Sequence, residues 1–316
     1  MKILISDPLH DKGVEIFKEK GFEVEVNTGL SPEELHQAIK GVSGLVIRSA
    51  TKVDQALLEA ADELKVVGRA GTGLDNVDIP AATEAGVVIM NTPGQNSNAA
   101  AELAMGHMFA LSRHIARGHR GLKEGKWEKK QLRGRELKGK TLGIVGMGNI
   151  GRILAELGAG VKMKVIGFDP FLDAADIKAR GAEPMSFEDI LAQADYISVH
   201  VPKTAETTSL FNADSIAKMK DGAYLVNCAR GGIVDEEALC DALADGKLAG
   251  AALDVFEVEP LPADSRLIFA DDVTCTPHLG ANTFEAQENV AVAVANQISK
   301  YLKTGEAEFA VNDPKK

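Results

Sequence analysis

Only three cysteines occur in 316 residues, Cys228, Cys240 and Cys275, and no two are spaced as C-x-x-C. A disulfide framework and a cysteine-built zinc site are therefore excluded as organising principles. Long hydrophobic runs are also missing. No uninterrupted apolar segment approaches the ~20 residues that span a bilayer. The opening MKILISDPLHDKG reads as a strand and a polar turn, without the apolar run of a signal peptide. Positive charge is scarce: 35 Lys and Arg stand against 46 Asp and Glu, a net charge of -11. That disfavours broad binding to nucleic acid or to an anionic membrane, since both need a positive field. An acidic protein that binds a small anion must gather its arginines locally. The expectation is a cytoplasmic enzyme with no metal and no nucleic-acid or membrane partner.

What is present is a chain too long for one ordinary core, so two domains of ~150 residues are expected. Hydrophobic content of 45% and charged content of 26% fit a globular protein. Short apolar, β-branched stretches (KILIS, FEVEV, GLVIR, KVVGR, VVIM) alternate with helical ones such as GVEIFKEKG and SPEELHQAIKG. Strands spaced by helices imply βαβ units and a parallel sheet. In the second helix, Ser31 suits the N-cap, Pro32 the first position and Glu34 a capping box. Residues from Asn98 to about Lys123 read as one long, alanine-rich helix with apolar residues on most faces, to be buried widely. A basic stretch, GKWEKKQLRGRELKGK, reads as loop. A second βα series starts at Thr141, with TLGIVG, KVIGFD, YISVHV, AYLVNC, LAGAALDV and DVTCTPH as strands. A last helix begins near Asn282, with Asn282 and Glu285 spaced as a capping box, and ends at about Lys303.

GMGNIG, Gly146 to Gly151, matches G-x-G-x-x-G after an apolar strand and before a helix. The next strand ends in Asp169, 18 positions beyond Gly151. This is the dinucleotide-binding fingerprint. Gly146 permits the tight turn, Gly148 lets backbone approach a pyrophosphate, and Gly151 lets helix and strand pack closely. The pyrophosphate would lie at the helix N-terminus. Asp169 would accept from the adenosine ribose, and its charge favours NAD over NADP.

Three ionisable residues follow predicted strands in the same half: Arg230 after AYLVNC, Glu259 in LDVFEVEP and His278 in TPHLGAN. Strand C-termini line the ligand crevice of an open parallel sheet. Hydride transfer to a nicotinamide needs a group that takes the hydroxyl proton, and His suits that near neutral pH. A carboxylate bonded to the His would fix its tautomer. An arginine grips a carboxylate bidentately and steadies a developing oxyanion. Each also has an ordinary structural reading: a helix-start residue, a capped loop residue, a solvated acid before Pro260. Glu257 competes with Glu259, and spacing does not choose between them.

GMGNIG with Asp169, NCARGGIVDE, ALDVFEVEP and PHLGANT together resemble the D-2-hydroxyacid dehydrogenase family. So do RSATKV (Arg48–Val53), GRAGTGLDNVD (Gly68–Asp78) and NTPGQNSNAAAELA (Asn91–Ala104), and the likeness covers nearly the whole chain. The resemblance implies an α/β protein: a Rossmann-type NAD-binding domain over 98–282, and a discontinuous flavodoxin-like parallel-sheet substrate domain over 1–97 and 283–316. It implies that Arg230 binds substrate, that Glu259 rather than Glu257 pairs with the catalytic histidine, and that His278 is the proton donor. It implies cofactor contacts at Thr72, Asn149, Ile150, Asp169, Val201, Pro202, Cys228, Ala229, Arg230, Asp254, His278, Gly280 and Ala281, beside the loop glycines Gly146, Gly148 and Gly151. It also implies a homodimer built largely around the helix from Asn98. The chain stops at Lys316, so no serine-binding regulatory domain is expected.

The catalytic trio is shared by relatives acting on lactate, glycerate, glyoxylate or hydroxypyruvate, so specificity must lie elsewhere. A phosphorylated acid demands extra positive charge. Candidates are Arg48 and Lys52, Arg69 with its neighbours Ala70 and Gly71, and the basic loop with Lys129, Lys130, Arg133 and Arg135. For the loop, a solvated basic face is an equal reading. The expected reaction is NAD-dependent oxidation of 3-phosphoglycerate at its 2-hydroxyl. Reduction of hydroxypyruvate or glyoxylate, or turnover of another D-2-hydroxy acid such as sulfolactate, is the first alternative. An NAD-sensing, corepressor-like binding protein is the second. His107, His114 and His119 read as packing or surface residues, and Cys228 as a small buried residue.

Overall fold

The structure, a computed structural model, describes residues 1–314. The chain divides into two compact units, Met1–Asn96 together with the chain from Ala281, and Ser97–Gly280.

The first unit is a five-stranded sheet of β1 (Lys2–Ile5), β2 (Glu23–Val26), β3 (Gly44–Ile47), β4 (Val66–Arg69) and β5 (Val88–Asn91), in the order β2-β1-β3-β4-β5. All its strand pairs are parallel. The order is that of flavodoxin-like sheets. The central strands are buried apart from Lys2 and Arg69 at their ends, which is why they read as continuous apolar runs rather than alternating ones. The helix Pro32–Ala38 carries the expected capping box between Ser31 and Glu34. The helix Phe284–Thr304 packs on the helix Asp11–Glu19 and on β4. Glycine makes room for it: a Cβ at Gly13 would press on the Ala291 carbonyl, and one at Gly68 on Val294 and Ile298. Val294 and Ile298 are fully buried, each worth about 1.5–3 kcal/mol in burial. The N-cap of this helix is Thr283, not Asn282. Its hydroxyl accepts from Ala286 N at 3.1 Å, the contact Asn282 stands one residue too early to make.

The second unit is a seven-stranded sheet of β6 (Thr141–Val145), β7 (Lys164–Phe168), β8 (Glu183–Pro184), β9 (Tyr196–Val199), β10 (Ala223–Asn227), β11 (Leu248–Leu253) and β12 (Val273–Cys275). The order is β12-β11-β10-β9-β6-β7-β8, again all parallel, and it is the doubly wound Rossmann order with one added strand. The edge strand β8 is absent from the sequence reading, because two residues, one a proline, carry no periodic signal.

The expected single helix from Asn98 to Lys123 is two helices, Ser97–Ser112 and Ile115–Lys123. The break has a local cause. The Ser112 carbonyl accepts from Arg135 N at 2.8 Å, so a returning loop takes the acceptor that the next turn would use. Ser112 Oγ bonds to the Met108 carbonyl and to Tyr196, and His114 turns left-handed at φ 51°. Ten residues of the first helix are buried, in keeping with its apolar faces. Among the described residues, no helix is long and apolar enough to cross a membrane.

Candidate functional site

In both units the informative residues lie just past strand C-termini. In the second, β6 runs into Gly146 at φ 98°, where a Cβ would stand 2.6 Å from the His200 carbonyl. Gly151 leaves room for the Gly146 carbonyl, so the helix Asn149–Gly160 starts directly over the strand. Gly148 caps that helix with no side chain, and the space a Cβ would enter there is open. Uncapped N–H groups at Asn149 and Ile150, a positive dipole end and an unfilled approach fit a dinucleotide pyrophosphate. Asp169 follows β7. Its Oδ2 accepts from Met147 N at 2.9 Å and its Oδ1 from Phe171 N at 3.0 Å. Each oxygen keeps a further lone pair for a ribose hydroxyl. Val201 is buried and Pro202 exposed just after β9. Between β9 and Val201, His200 bonds through Nε2 to Ser198 Oγ at 2.8 Å, while its Nδ1 is buried without a partner. Burial pushes its pKa down to about 4.

The turn after β10 is held by Asn227, which accepts from Ala229 N at 3.0 Å and donates to the Arg230 carbonyl at 2.9 Å. Cys228 and Ala229 are buried, and burial pushes the Cys228 thiol far up, so it stays a thiol. Arg230 Nη1 donates to the Ala229 carbonyl at 2.7 Å. Gly231 runs against the Phe256 carbonyl, where a Cβ would collide, and Gly232 is left-handed at φ 79°. The two glycines of the ARGG turn thus let the arginine loop lie on the loop that carries Glu259. Glu259 Oε1 accepts from Phe256 N at 3.1 Å, and its Oε2 stands 2.8 Å from His278 Nδ1. A carboxylate only accepts, so Nδ1 carries the hydrogen and Nε2 is left to take a proton. Glu257 faces the other way, toward the helix Glu236–Ala244, accepting from Glu236 N at 3.4 Å. His278 is exposed and left-handed, at φ 53°, with its N–H on the carbonyls of Asp254 and Thr276. Asp254 is fully buried, and its carboxylate accepts from Leu279 N and Gly280 N at 2.7 and 2.8 Å.

In the first unit, Arg48 follows β3 and Arg69 ends β4, neighbouring strands. Asn76 joins the two: it accepts from Arg69 Nε at 3.3 Å and donates to the carbonyls of Arg48 and Thr51. The Arg48 guanidinium is partly desolvated, with Nε buried and unpartnered, and burial lowers its pKa against the opposing pull of Asp7. Asp7, after β1, accepts from Arg48 N and from both Thr51 N and Oγ1. Ala70 is buried, and Gly71 adopts φ 156° beside the Arg69 side chain. Thr72 Oγ1 bonds to Asn96 at 3.0 Å, and the Ala281 carbonyl accepts from Gln287.

Arg135 does not stand near the strand C-termini. It stacks on Tyr224 at 5.7 Å and reaches the Gly222 carbonyl, at the opposite end of β10 from Arg230. Lys129, Lys130 and Arg133 are exposed. The supporting residues Asp7, Asn76 and Thr276 are not marked by the sequence, whereas His107, expected as a packing or surface residue, is a buried one. For His107 the signal was a polar residue among Ala104, Met108 and Leu111 on an apolar helix face; it is 4% exposed and bonds to Thr276 Oγ1. No group of three or more His, Cys, Asp or Glu able to hold a metal occurs among the described residues.

Residues 105–280 match the family model of the D-isomer specific 2-hydroxyacid dehydrogenase, NAD binding domain. The chain is 46% identical to a D-3-phosphoglycerate dehydrogenase of Methanocaldococcus jannaschii over 99% of its own length and 60% of that protein's. It thus spans about 60% of the length of that relative. It is also 46% identical to a hydroxypyruvate reductase of Thermotoga maritima, over 95% of this chain and 98% of that one. The solved structure of an NAD+-bound 3-phosphoglycerate dehydrogenase from Entamoeba histolytica is similar with a TM-score of 0.84 and 32% identity, covering 99% of each chain.

Proposed function

The chain belongs to the D-isomer specific 2-hydroxyacid dehydrogenases, and from that premise we propose that it oxidises 3-phosphoglycerate at its 2-hydroxyl to 3-phosphohydroxypyruvate with NAD. The observation that carries the chemistry is the His278–Glu259 pair at 2.8 Å. Bound NAD would supply the acceptor for the hydride that leaves the α-carbon. The glycine loop, the first N–H groups of the helix Asn149–Gly160 and Asp169 would hold it, with Val201 and Pro202 at the adenine and Thr72, Cys228, Ala229, Asp254, Gly280 and Ala281 contributing further contacts. His278 Nε2 takes the hydroxyl proton, and Glu259 keeps the ring in the tautomer that can do so and balances the imidazolium. Arg230 binds the substrate carboxylate and the nascent carbonyl oxygen.

The phosphorylated acid is favoured by Arg48, whose desolvated guanidinium is charge without adequate compensation, and by its link through Asn76 to Arg69. A partly buried cation of that kind is stabilised by an anion. Ala70 and Gly71 would offer backbone groups to the same ligand. The second reading is reduction of hydroxypyruvate, favoured by the 46% identity to the Thermotoga enzyme along almost its full length. NADH formation across 3-phosphoglycerate, D-glycerate, D-lactate and sulfolactate decides between them. A catalytic efficiency for 3-phosphoglycerate far above the others supports the first reading; preference for an unphosphorylated acid rejects it.

We further propose a homodimer. The helix Ser97–Ser112 and its successor expose Phe109, Ile115 and Leu122, and the following loop exposes Trp127. A monomeric mass by light scattering at micromolar concentration would reject this.

A further inference from the structure

We infer that His107 and Thr276 form a buried positioning relay for His278: His107 donates to Thr276, Thr276 donates to Asp254, and the Asp254 carboxylate holds the backbone turn that carries His278. The geometry runs through three elements of the second unit. His107 Nε2 lies 3.0 Å from Thr276 Oγ1, Thr276 Oγ1 lies 2.6 Å from Asp254 Oδ1, and the same carboxylate takes Leu279 N and Gly280 N. The Asp254 carbonyl takes His278 N at 2.9 Å. His278 stands in a left-handed conformation that costs a non-glycine residue of order 1 kcal/mol or more, so something must hold it.

Proton counting fixes the direction of the chain. Thr276 has one hydroxyl hydrogen, and the carboxylate can only accept, so that hydrogen goes to Asp254. The oxygen then presents a lone pair to His107, and Nε2 must carry the ring hydrogen. The opposite tautomer would set two acceptors face to face at 3.0 Å inside the core. Burial lowers the His107 pKa, with the Asp254 charge acting against it, which suits a neutral ring. The helix Ser97–Ser112 thus does more than fill space beneath β10, β11 and β12. It supplies the last donor in a chain that keeps a fully buried carboxylate satisfied. With that donor gone, Thr276 is free to rotate away, and the turn loses one of its three anchors on the Asp254 carboxylate.

The effect on turnover rests on the dehydrogenase reading; the hold on the turn does not. The test compares wild type, His107→Leu, Thr276→Val and His107→Gln by hydrogen exchange over residues 276–280, by melting temperature, and by kcat and KM. Both disabling variants should lose protection at Leu279 and Gly280. Their kcat should fall roughly five- to fifty-fold, the effect of one unmade buried hydrogen bond, with KM for the acid within about two-fold. His107→Gln, which keeps an N–H donor, should recover most of both. Unchanged exchange in both variants, or a Gln variant as impaired as Leu, overturns the relay. If neither disabling variant folds, ring 15N shifts of the wild type decide: a hydrogen on Nε2 supports the relay and one on Nδ1 rejects it. If the wild type turns over no 2-hydroxy acid, the dehydrogenase reading fails, and exchange and tautomer still judge the relay.

Discussion

The two sheets obey one topological rule and use it differently. Each has a switch point where the strand order reverses, between β1 and β3 in the first unit and between β6 and β9 in the second. Ligands of open α/β sheets bind outside the strand ends at such points. In the second unit the site is open: Gly148 leaves space, and the helix behind it has no side-chain cap. In the first unit the protein fills its own crevice. The Asp7 carboxylate takes the N–H groups of Arg48 and Thr51 and the Thr51 hydroxyl, the donors an anionic ligand would otherwise claim. That unit instead offers two arginines, one just past β3 and one at the end of β4, tied by Asn76. Topology says where a ligand can sit; the local donors and acceptors decide whether it is a cofactor or only the charged end of a substrate.

If the second unit supplies the chemistry, its variants should have the largest effects. His278→Ala should lower kcat by about 10²–10⁴-fold with NAD affinity largely kept, measured by turnover and by cofactor titration. Arg230→Lys should be next, at about 10²-fold or more in kcat/KM, because an ammonium cannot make the two-pronged grip. Near wild-type rates in either would remove that residue from the mechanism. The first unit should show selectivity without abolishing turnover. Arg48→Ala or Arg69→Ala should reduce kcat/KM for phosphorylated acids by about 10–10²-fold and spare unphosphorylated ones. An equal loss on both classes would erase the proposed division of labour. Asp169→Ala sharpens the picture on the cofactor side. NAD should bind about ten-fold more weakly and the preference over NADP should narrow, since a carboxylate that repels a 2′-phosphate is gone. An unchanged preference would mean the ribose is read by other groups.

Most of this arrangement is legible in the sequence, because strands buried on both faces and glycines at fixed offsets leave strong local signals. The central strands of both sheets and the loop Gly146–Gly151 are of that kind. The choice between Glu257 and Glu259 is not, because it depends on which of two acids in one loop faces His278. Spacing is silent there; the resemblance to a family supplied the answer, and the 2.8 Å contact agrees with it. The break after Ser112 is illegible for a related reason. Its cause, Arg135 N on the Ser112 carbonyl, lies 23 residues along the chain, beyond any helical period. Within the basic loop, for which a solvated face is an equal reading, composition cannot tell one end of a strand from the other, and Arg135 stands at the opposite end of β10 from Arg230. Asp7 and Thr276 look like ordinary polar residues until their partners are known.

The smallest expected effect concerns stability and marks the second switch point by its lack of charge. Directly after β9, His200 backs the Gly146 turn with its carbonyl. The residue is half-buried, but its Nδ1 is shut away from water, and burial brings the pKa to about 4 from 6.5. Between those values the unfolded chain binds the proton and the folded one does not, so stability rises with pH across that window. The contribution is complete above pH 6.5 and is lost as pH falls toward 4. The melting temperature of the wild type should therefore drop by several degrees more than that of His200→Gln between pH 7 and 4. Parallel curves would mean that protons reach the ring in the folded state. The turn would then tolerate a positive charge beside it, and a neutral ring would no longer mark the second switch point.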